Sequence, residues 1–360
     1  MELADDVVEV SVFGSGYGES CLVHLGFGSW ILIDSLKDPE DSAHIPPIDY
    51  LHSLGLDPLS CLKLLVVSHW DEDHVLGISQ ILQRYPDIPF ACSSIFSGRE
   101  FLKLQGLAAR DDEEGTSGNE FRQSFEILLS RAPGRPPAMN VVWCSGDKPV
   151  LTLHEPLPVQ VTALSPSDAS ISLSVEAMAG MTRDDRTISF RKENACSVVL
   201  SISVANRRIL LGGDLERTGD PRTGWLGIAN SEHREAARSS LFKVPHHGSD
   251  DAWEDRIWDE MLEDGVVAVL TPWSLGRNYL PKDADRSKIC ENTDNAHIAS
   301  PGSSARPARR DPTVEKIVRD IATNRRAITR QLGQVRARAS VANDDPWSVE
   351  HLLAARPLCG

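Results

Sequence analysis

Ser68-His69-Trp70-Asp71-Glu72-Asp73-His74-Val75-Leu76-Gly77 follows directly on the apolar run Leu62 to Val67. Four potential metal ligands, His69, Asp71, Asp73 and His74, fall where a buried strand is expected to end. In an extended segment His69 and Asp71, two apart, point to the same side. Asp73 and His74 follow in the turn and reach a second position close by. Imidazoles and carboxylates converging at one strand end make a mixed nitrogen and oxygen site suited to Zn²⁺, Mn²⁺ or Fe. The plainer alternative is a charged surface turn holding two unrelated histidines.

Three other segments repeat the pattern. Arg208-Ile209-Leu210-Leu211-Gly212-Gly213-Asp214 ends a strand in two glycines and a carboxylate. Leu241-Phe242-Lys243-Val244-Pro245-His246-His247-Gly248-Ser249 ends one in paired histidines, and Ser29-Trp30-Ile31-Leu32-Ile33-Asp34 ends one in a single carboxylate. In α/β proteins catalytic groups gather at strand ends and on the loops leaving them.

These residues resemble the motifs of the metallo-β-lactamase superfamily of hydrolases. Asp34 matches its first motif, His69, Asp73 and His74 its H-x-H-x-D-H motif, Asp214 its bridging carboxylate, and His246-His247 its final histidine. More narrowly, Val12 to Ser20, Asn194 to Leu200 and Val244 to Ser249 are similar to the soluble domain of ComEC-type bacterial competence (DNA-uptake) channel proteins. The likeness runs from about residue 7 to about residue 275 in family order. It departs at Asp71, which stands where the motif has its second His, and at the middle His ligand. His154, the lone histidine between His74 and Asp214, sits where a strand runs into a turn.

The resemblance implies an α+β, αββα fold: a two-sheet sandwich with helices on both outer faces. It implies a mononuclear or dinuclear centre holding one or two Zn²⁺ ions, with Mn²⁺ or Fe also suited to a carboxylate-rich set. His69 and Asp71 would hold one ion, Asp73, His74 and His247 the other, and Asp214 both, with a metal-bound hydroxide as nucleophile. Asp34 would orient a ligand imidazole. Asp73 and His246 are the candidate catalytic groups, His246 facing phosphate or donating a proton. Lys243, Ser249 and Arg277 are candidate substrate contacts; Lys243 on a solvent-facing strand and Ser249 as a turn cap are the plainer readings. Trp70 is read either as a stacking surface for a ring or as a packed aromatic.

Composition narrows the class. With 360 residues, 41% hydrophobic and 25% charged, the chain can bury a large core. No apolar stretch approaches the ~20 residues of a membrane span, and the acidic start is not a signal peptide. Seven scattered cysteines without a C-x-x-C read as buried free thiols of a reducing cytoplasm. The net charge of −15 disfavours indiscriminate nucleic-acid binding. Residues 306–338, however, hold ten Lys/Arg against three acidic residues, and this basic segment is a candidate nucleic-acid contact.

Periodicity places strands near 7–13, 20–25, 29–34, 62–68, 88–94, 140–144, 149–153, 159–164, 196–204, 207–212, 241–245 and 265–271. Helices are expected at 47–54, 121–129, 231–239 and 252–262, a loop at 107–118, and a polar lid or insertion at 165–193. The domains expected are a catalytic unit over 1–281, a linker or flap over 282–311, and a basic helical C-terminal extension over 312–360. Within it a helix runs to about 337 and a short one spans 346–355. The leading function is a metal-dependent phosphodiesterase or nuclease. The alternatives are a hydrolase of a small ester (cyclic nucleotide, phosphocholine ester or lactone) and a binding module with a decayed site.

Overall fold

Residues 62–67 are apolar on both faces because both faces are covered. Leu64 and Val66 pack between two sheets, while Leu62, Leu65 and Val67 pack outward under helices. Such continuous apolar runs mark strands buried on both sides. The computed structural model describes residues 3–97, 117–131, 141–179, 194–234, 236–301 and 330–360.

The first sheet contains β1 (Val7–Gly14), β2 (Glu19–His24), β3 (Trp30–Ile33), β4 (Leu62–Val67), β5 (Phe90–Ser93) and β6 (Val141–Cys144). The second contains β7 (Lys148–Leu153), β8 (Val159–Ala163), β9 (Leu200–Val204), β10 (Arg207–Leu211), β11 (Ser239–Lys243) and β12 (Leu262–Leu270). A small hairpin, β13 (Trp273–Leu275) and β14 (Asn278–Leu280), follows; then β15 (Ala296–Ile298), β16 (Gly333–Ser340), β17 (Ser348–Leu353) and β18 (Arg356–Pro357) complete the two sheets. The strand orders are β17-β16-β1-β2-β3-β4-β5-β6 and β18-β15-β12-β11-β10-β9-β8-β7. Pairing turns from antiparallel to parallel between β3 and β4 in one sheet, and between β9–β10 and β10–β11 in the other.

One core cluster lies between the sheets, built from alternate residues such as Val10, Val12, Ile31, Val161, Ile209 and Val267. Helices Pro46–Ser53, Ile78–Arg84 and Ser117–Ser130 cover the first sheet's outer face. Helices Gly224–Ala229, Asp255–Met261 and Asp283–Asn292 cover the second's. The layers are therefore αββα, as expected.

The last fifth of the chain departs from expectation. Residues 333–340 form β16, not the end of a helix, and pair with all eight residues of β1. Val335-Arg336-Ala337-Arg338-Ala339 alternates with period two, the strand pattern, and its apolar members enter the core. The short helix expected at 346–355 is β17, paired to β16, and Trp347 packs between the sheets. The linker expected at 282–311 holds helix Asp283–Asn292 and β15, which pairs with β12. The helix expected at 231–239 lies earlier, at Gly224–Ala229. Helix Asp168–Ala179 occupies the start of the expected lid; residues 180–193, most of 107–118, and 302–329 of the basic segment lie outside the described residues.

The cysteines also differ. Cys290 and Cys359 form a disulfide across 69 positions, which tethers helix Asp283–Asn292 to the chain end. That separation hid the pairing, since nothing in the spacing announces it. The other five cysteines are buried and form no disulfide. Among the described residues no helix is long and apolar enough to cross a membrane.

Candidate metal centre

Four strand exits and the approach to β9 are tied by backbone bonds at one end of the sandwich. Asp34 N donates to Val66 O at 2.8 Å, and Ser35 N to His74 O at 2.8 Å. Val198 N donates to Ser68 O at 3.0 Å, and His246 N to Gly213 O at 3.1 Å. At Gly213, φ is +51° and a Cβ would fall 2.5 Å from Ser197 Oγ, so only glycine admits this approach. His246 and His247 both have positive φ, 46° and 55°, and Gly248 follows at 79°. Three successive residues in a sparsely populated region turn the histidines into the cavity.

Hydrogen bonds fix how each imidazole presents itself. Asp34 Oδ2 accepts from Ser68 Oγ at 2.6 Å and from His74 Nδ1 at 2.9 Å, and its Oδ1 accepts from Ser68 N at 2.7 Å. The Ser68 hydroxyl directs its hydrogen to Asp34, so its oxygen accepts from His69 Nδ1 at 3.0 Å. Thr271 Oγ1 likewise donates to Glu19 Oε2 and therefore accepts from His247 Nδ1 at 3.0 Å. In each ring Nδ1 carries the hydrogen and Nε2 turns its lone pair inward.

Those lone pairs meet carboxylate oxygens. His247 Nε2 lies 3.0 Å from Asp73 Oδ2 and 3.5 Å from Asp214 Oδ2. His74 Nε2 lies 3.3 Å from Asp214 Oδ2 and 3.8 Å from Asp73 Oδ2, and the His69 and His74 ring centroids lie 4.2 Å apart at a tilt of 53°. His69 Nε2, His74 Nε2 and Asp214 Oδ1 are buried without a hydrogen-bond partner among the described residues. Acceptors crowded against acceptors in a dry site require a cation or extra protons between them. The residues present therefore fit a divalent ion, with imidazole and carboxylate donors that suit Zn²⁺, Mn²⁺ or Fe.

Electrostatics agree. Burial works to lower the His74 pKa, but Asp214, Asp73 and Glu19 outweigh it and raise it well above the ordinary value. Burial works to raise Asp73 and Asp214, yet His74 and His247 hold Asp73 down to about 2 and Asp214 well below the usual range. His69 falls to about 3 through burial and then the charge of His74.

Asp71 is not brought into the cluster. It is exposed on the loop, where desolvation and then Asp73 push its carboxyl up to about 6. The alternation that would align it with His69 fails because β4 ends at Val67. Glu19, in contrast, joins His74, Asp214 and His247, with ligand atoms within 4.8 Å of one another. The legible signal was a carboxylate opening a strand whose next residues lead into Cys21, Leu22 and Val23, where a carboxylate is rarely buried unless paired. Lys243 is neither in solvent nor at a substrate surface. It is buried against Glu19, donates to Gly213 O at 2.9 Å and lies 3.7 Å from Asp214 Oδ1.

His246 stands at the mouth with its side chain 18% exposed. Its Nδ1 lies 2.9 Å from Asp251 Oδ1 and 3.5 Å from Glu216 Oε1. Burial opposes protonation, but the hydrogen bond to Asp251 and the surrounding carboxylates raise the pKa to about 9. Ser249 is partly buried at the position before a short turn, and its side chain makes no capping hydrogen bond there. Arg277 is exposed in the turn between β13 and β14. His154 is exposed just beyond β7, outside the buried cluster. Trp70 is buried edge-on against Phe96 and Phe121, a packed aromatic and not a stacking surface.

No family model matches the chain, and no curated protein does. Solved structures are similar in layout. The metallo-β-lactamase fold protein YhfI from Bacillus subtilis is 11% identical, with 82% of this chain and 98% of that chain covered and a TM-score of 0.39. The metallo-β-lactamase SMB-1 is 14% identical, with 74% and 89% covered and a TM-score of 0.36. A metallo-β-lactamase HARLDQ-motif mutant from Cronobacter sakazakii is 18% identical, with 65% and 75% covered and a TM-score of 0.34. At such scores the likeness carries no argument about chemistry, and the site stands on its own geometry.

Proposed function

We propose that this chain is a divalent-metal-dependent hydrolase of a phosphodiester. The observation that supports it is the buried convergence of unsatisfied His69 Nε2, His74 Nε2 and Asp214 Oδ1 beside Asp73 and His247. His74, Asp73, Asp214 and His247 would hold one ion, and His69 with Asp214 would hold a second, weaker one. A divalent ion there supplies a Lewis acid and makes water a usable nucleophile near neutral pH. Asp34, Ser68 and Thr271 keep the imidazole protons on Nδ1. His246, held at Nδ1 by Asp251 and with Asn194 Nδ2 3.4 Å from its Nε2, is the candidate proton donor to the leaving oxygen once Asn194 yields Nε2. The resemblance of three segments to ComEC-type domains favours a nucleic-acid phosphodiester.

The small-ester reading has an observation of its own. Arg338 Nε donates to Glu9 at 2.7 Å and Arg336 Nε to Glu350 at 3.1 Å, so two arginines of the basic segment are committed to carboxylates. Any recruitment of nucleic acid then falls to the rest of residues 306–338, chiefly 306–329. A decayed binding module would have little reason to keep buried acceptors unsatisfied. The five scattered cysteines outside any disulfide point to the cytoplasm; the Cys290–Cys359 pair points the other way, since thiol buffers reduce such bonds there.

The test is metal content after supplementation with Zn²⁺ or Mn²⁺, together with turnover of bis-p-nitrophenyl phosphate and of DNA with and without chelator. Chelator-sensitive cleavage of both is expected. Cleavage of the small ester alone selects the second reading, and a protein that takes up no ion sinks both.

A further inference from the structure

Glu19 and Lys243 make an ion pair with side chains only 3% and 1% exposed. Glu19 comes from β2 in the first sheet and Lys243 from β11 in the second, so the pair joins the two sheets beneath the cluster. Burying two charges is costly, and an apolar pair of similar volume often serves stability as well. The pair's other contacts run to groups that shape the centre. Lys243 Nζ donates to Gly213 O at 2.9 Å and lies 3.7 Å from Asp214 Oδ1. Glu19 Oε2 accepts from Thr271 Oγ1, whose oxygen lies 3.0 Å from His247 Nδ1.

We infer that Glu19 and Lys243 are positioning residues: Lys243 anchors the Gly213–Asp214 turn and holds Glu19 back from the ion, and Glu19 sets the His247 ring through Thr271. The inference rests on the metal-centre reading and goes beyond it. The rival assignment makes Glu19 a ligand, since its oxygen falls within 4.8 Å of the donors on His74, Asp214 and His247. Against it stands the ammonium already seated on Glu19 Oε1. A cation bound to that carboxylate would sit beside a second positive charge. The Thr271 relay explains why the other oxygen turns toward His247's support and not toward the cluster's centre. Outer partners of this kind typically change metal affinity 10–100-fold when removed.

The test uses the full chain and Zn²⁺ affinity by chelator competition, with the absorption spectrum of the Co²⁺-loaded protein and the melting temperature as companion readouts. Thr271→Val leaves the ion pair intact and cuts the relay. It should weaken Zn²⁺ binding about tenfold and alter the Co²⁺ spectrum, and Thr271→Ser should restore both. The double variant Glu19→Gln/Lys243→Met removes both charges together, so it folds more readily than either single variant. It should melt near the parent yet bind Zn²⁺ about 10–100-fold more weakly. Parental affinity and spectrum in both Thr271→Val and the double variant would reduce the pair to a structural strut. Undiminished affinity in Lys243→Met, with binding abolished in Glu19→Gln, would make Glu19 the ligand. Failure of the parent protein to bind Zn²⁺ would instead remove the metal centre itself, a result distinct from either.

Discussion

Replacing Asp34 by Asn is the sharpest probe of how the centre is held. The backbone tolerates it, because Asp34 has φ of 59° and Asn visits that region readily. The amide oxygen can still accept from Ser68 N, where Oδ1 now sits at 2.7 Å. The amide nitrogen then replaces Oδ2, which accepts at 2.6 Å from Ser68 Oγ and at 2.9 Å from His74 Nδ1. Donor faces donor. His74 must lose that bond or shift its proton to Nε2 and withdraw the lone pair from the ion. A hydrogen bond to a charged group is worth about 1.5–3 kcal/mol, or roughly 10–150-fold in affinity at 1.4 kcal/mol per decade. Folding should suffer less, since burial already raises the Asp34 carboxyl's pKa and disfavours its charge. Chelator competition should show Zn²⁺ affinity down about 10–100-fold, with near-native circular dichroism. Affinity within twofold of the parent in a folded variant would refute the claim that Asp34 orients His74.

Four further outcomes are expected. Asp214→Ala should abolish ion binding and turnover in a protein that still folds; retained stoichiometry by elemental analysis would show that the ion lies elsewhere. His247→Ala should lose ion and activity together, whereas His246→Ala should keep the ion and lose rate, and the reverse pattern exchanges their roles. The raised His74 pKa gives a signed pH effect: its charge stabilises the metal-free fold below the ordinary value near 6.5, and the gain disappears as pH rises through the raised value. His246, raised to about 9, contributes in the same sense, so calorimetric stability of the metal-free protein should fall as pH rises, and the His246→Ala variant separates its share from that of His74. Gly248→Ala, with φ of +79° and a Cβ 3.1 Å from both Ile289 Cδ1 and Leu270 Cδ1, should cost about 1–2 kcal/mol in a denaturant titration and weaken ion binding by displacing His247.

Legibility followed how local the signal was. Strands β3, β4, β10 and β11 were readable because each buries both faces and ends in a glycine, histidine or carboxylate. Asp34, His69, Asp73, His74, Asp214 and His247 came to one place because these strand ends adjoin in space. Glu19 and Thr271 were not readable as partners, since 252 positions separate them. Asp71 misled because an alternation rule was extended past the end of its strand. The arginines of β16 misled differently: read as a charge surplus they suggested a helix for an anionic partner, while their period of two spelled a strand. Lys243 looked solvated only because its counter-charge, Glu19, lies in the other sheet.

The pairing of β16 with β1 makes the beginning of the chain wait for its end. β1 lies between β2 and a strand supplied more than 300 positions later. During synthesis, β1 therefore leaves the ribosome with one row of amides and carbonyls unmatched until residues 333–340 arrive. An open, apolar edge is a template for joining other chains, and contacts of long sequence separation form slowly. A product that stops before residue 333 lacks more than a tail: it leaves the first sheet split between β1 and nothing. Experiments on the basic segment should therefore neutralise its charges in place, and any cell that makes this protein must guard the edge of its first strand until β16 is delivered.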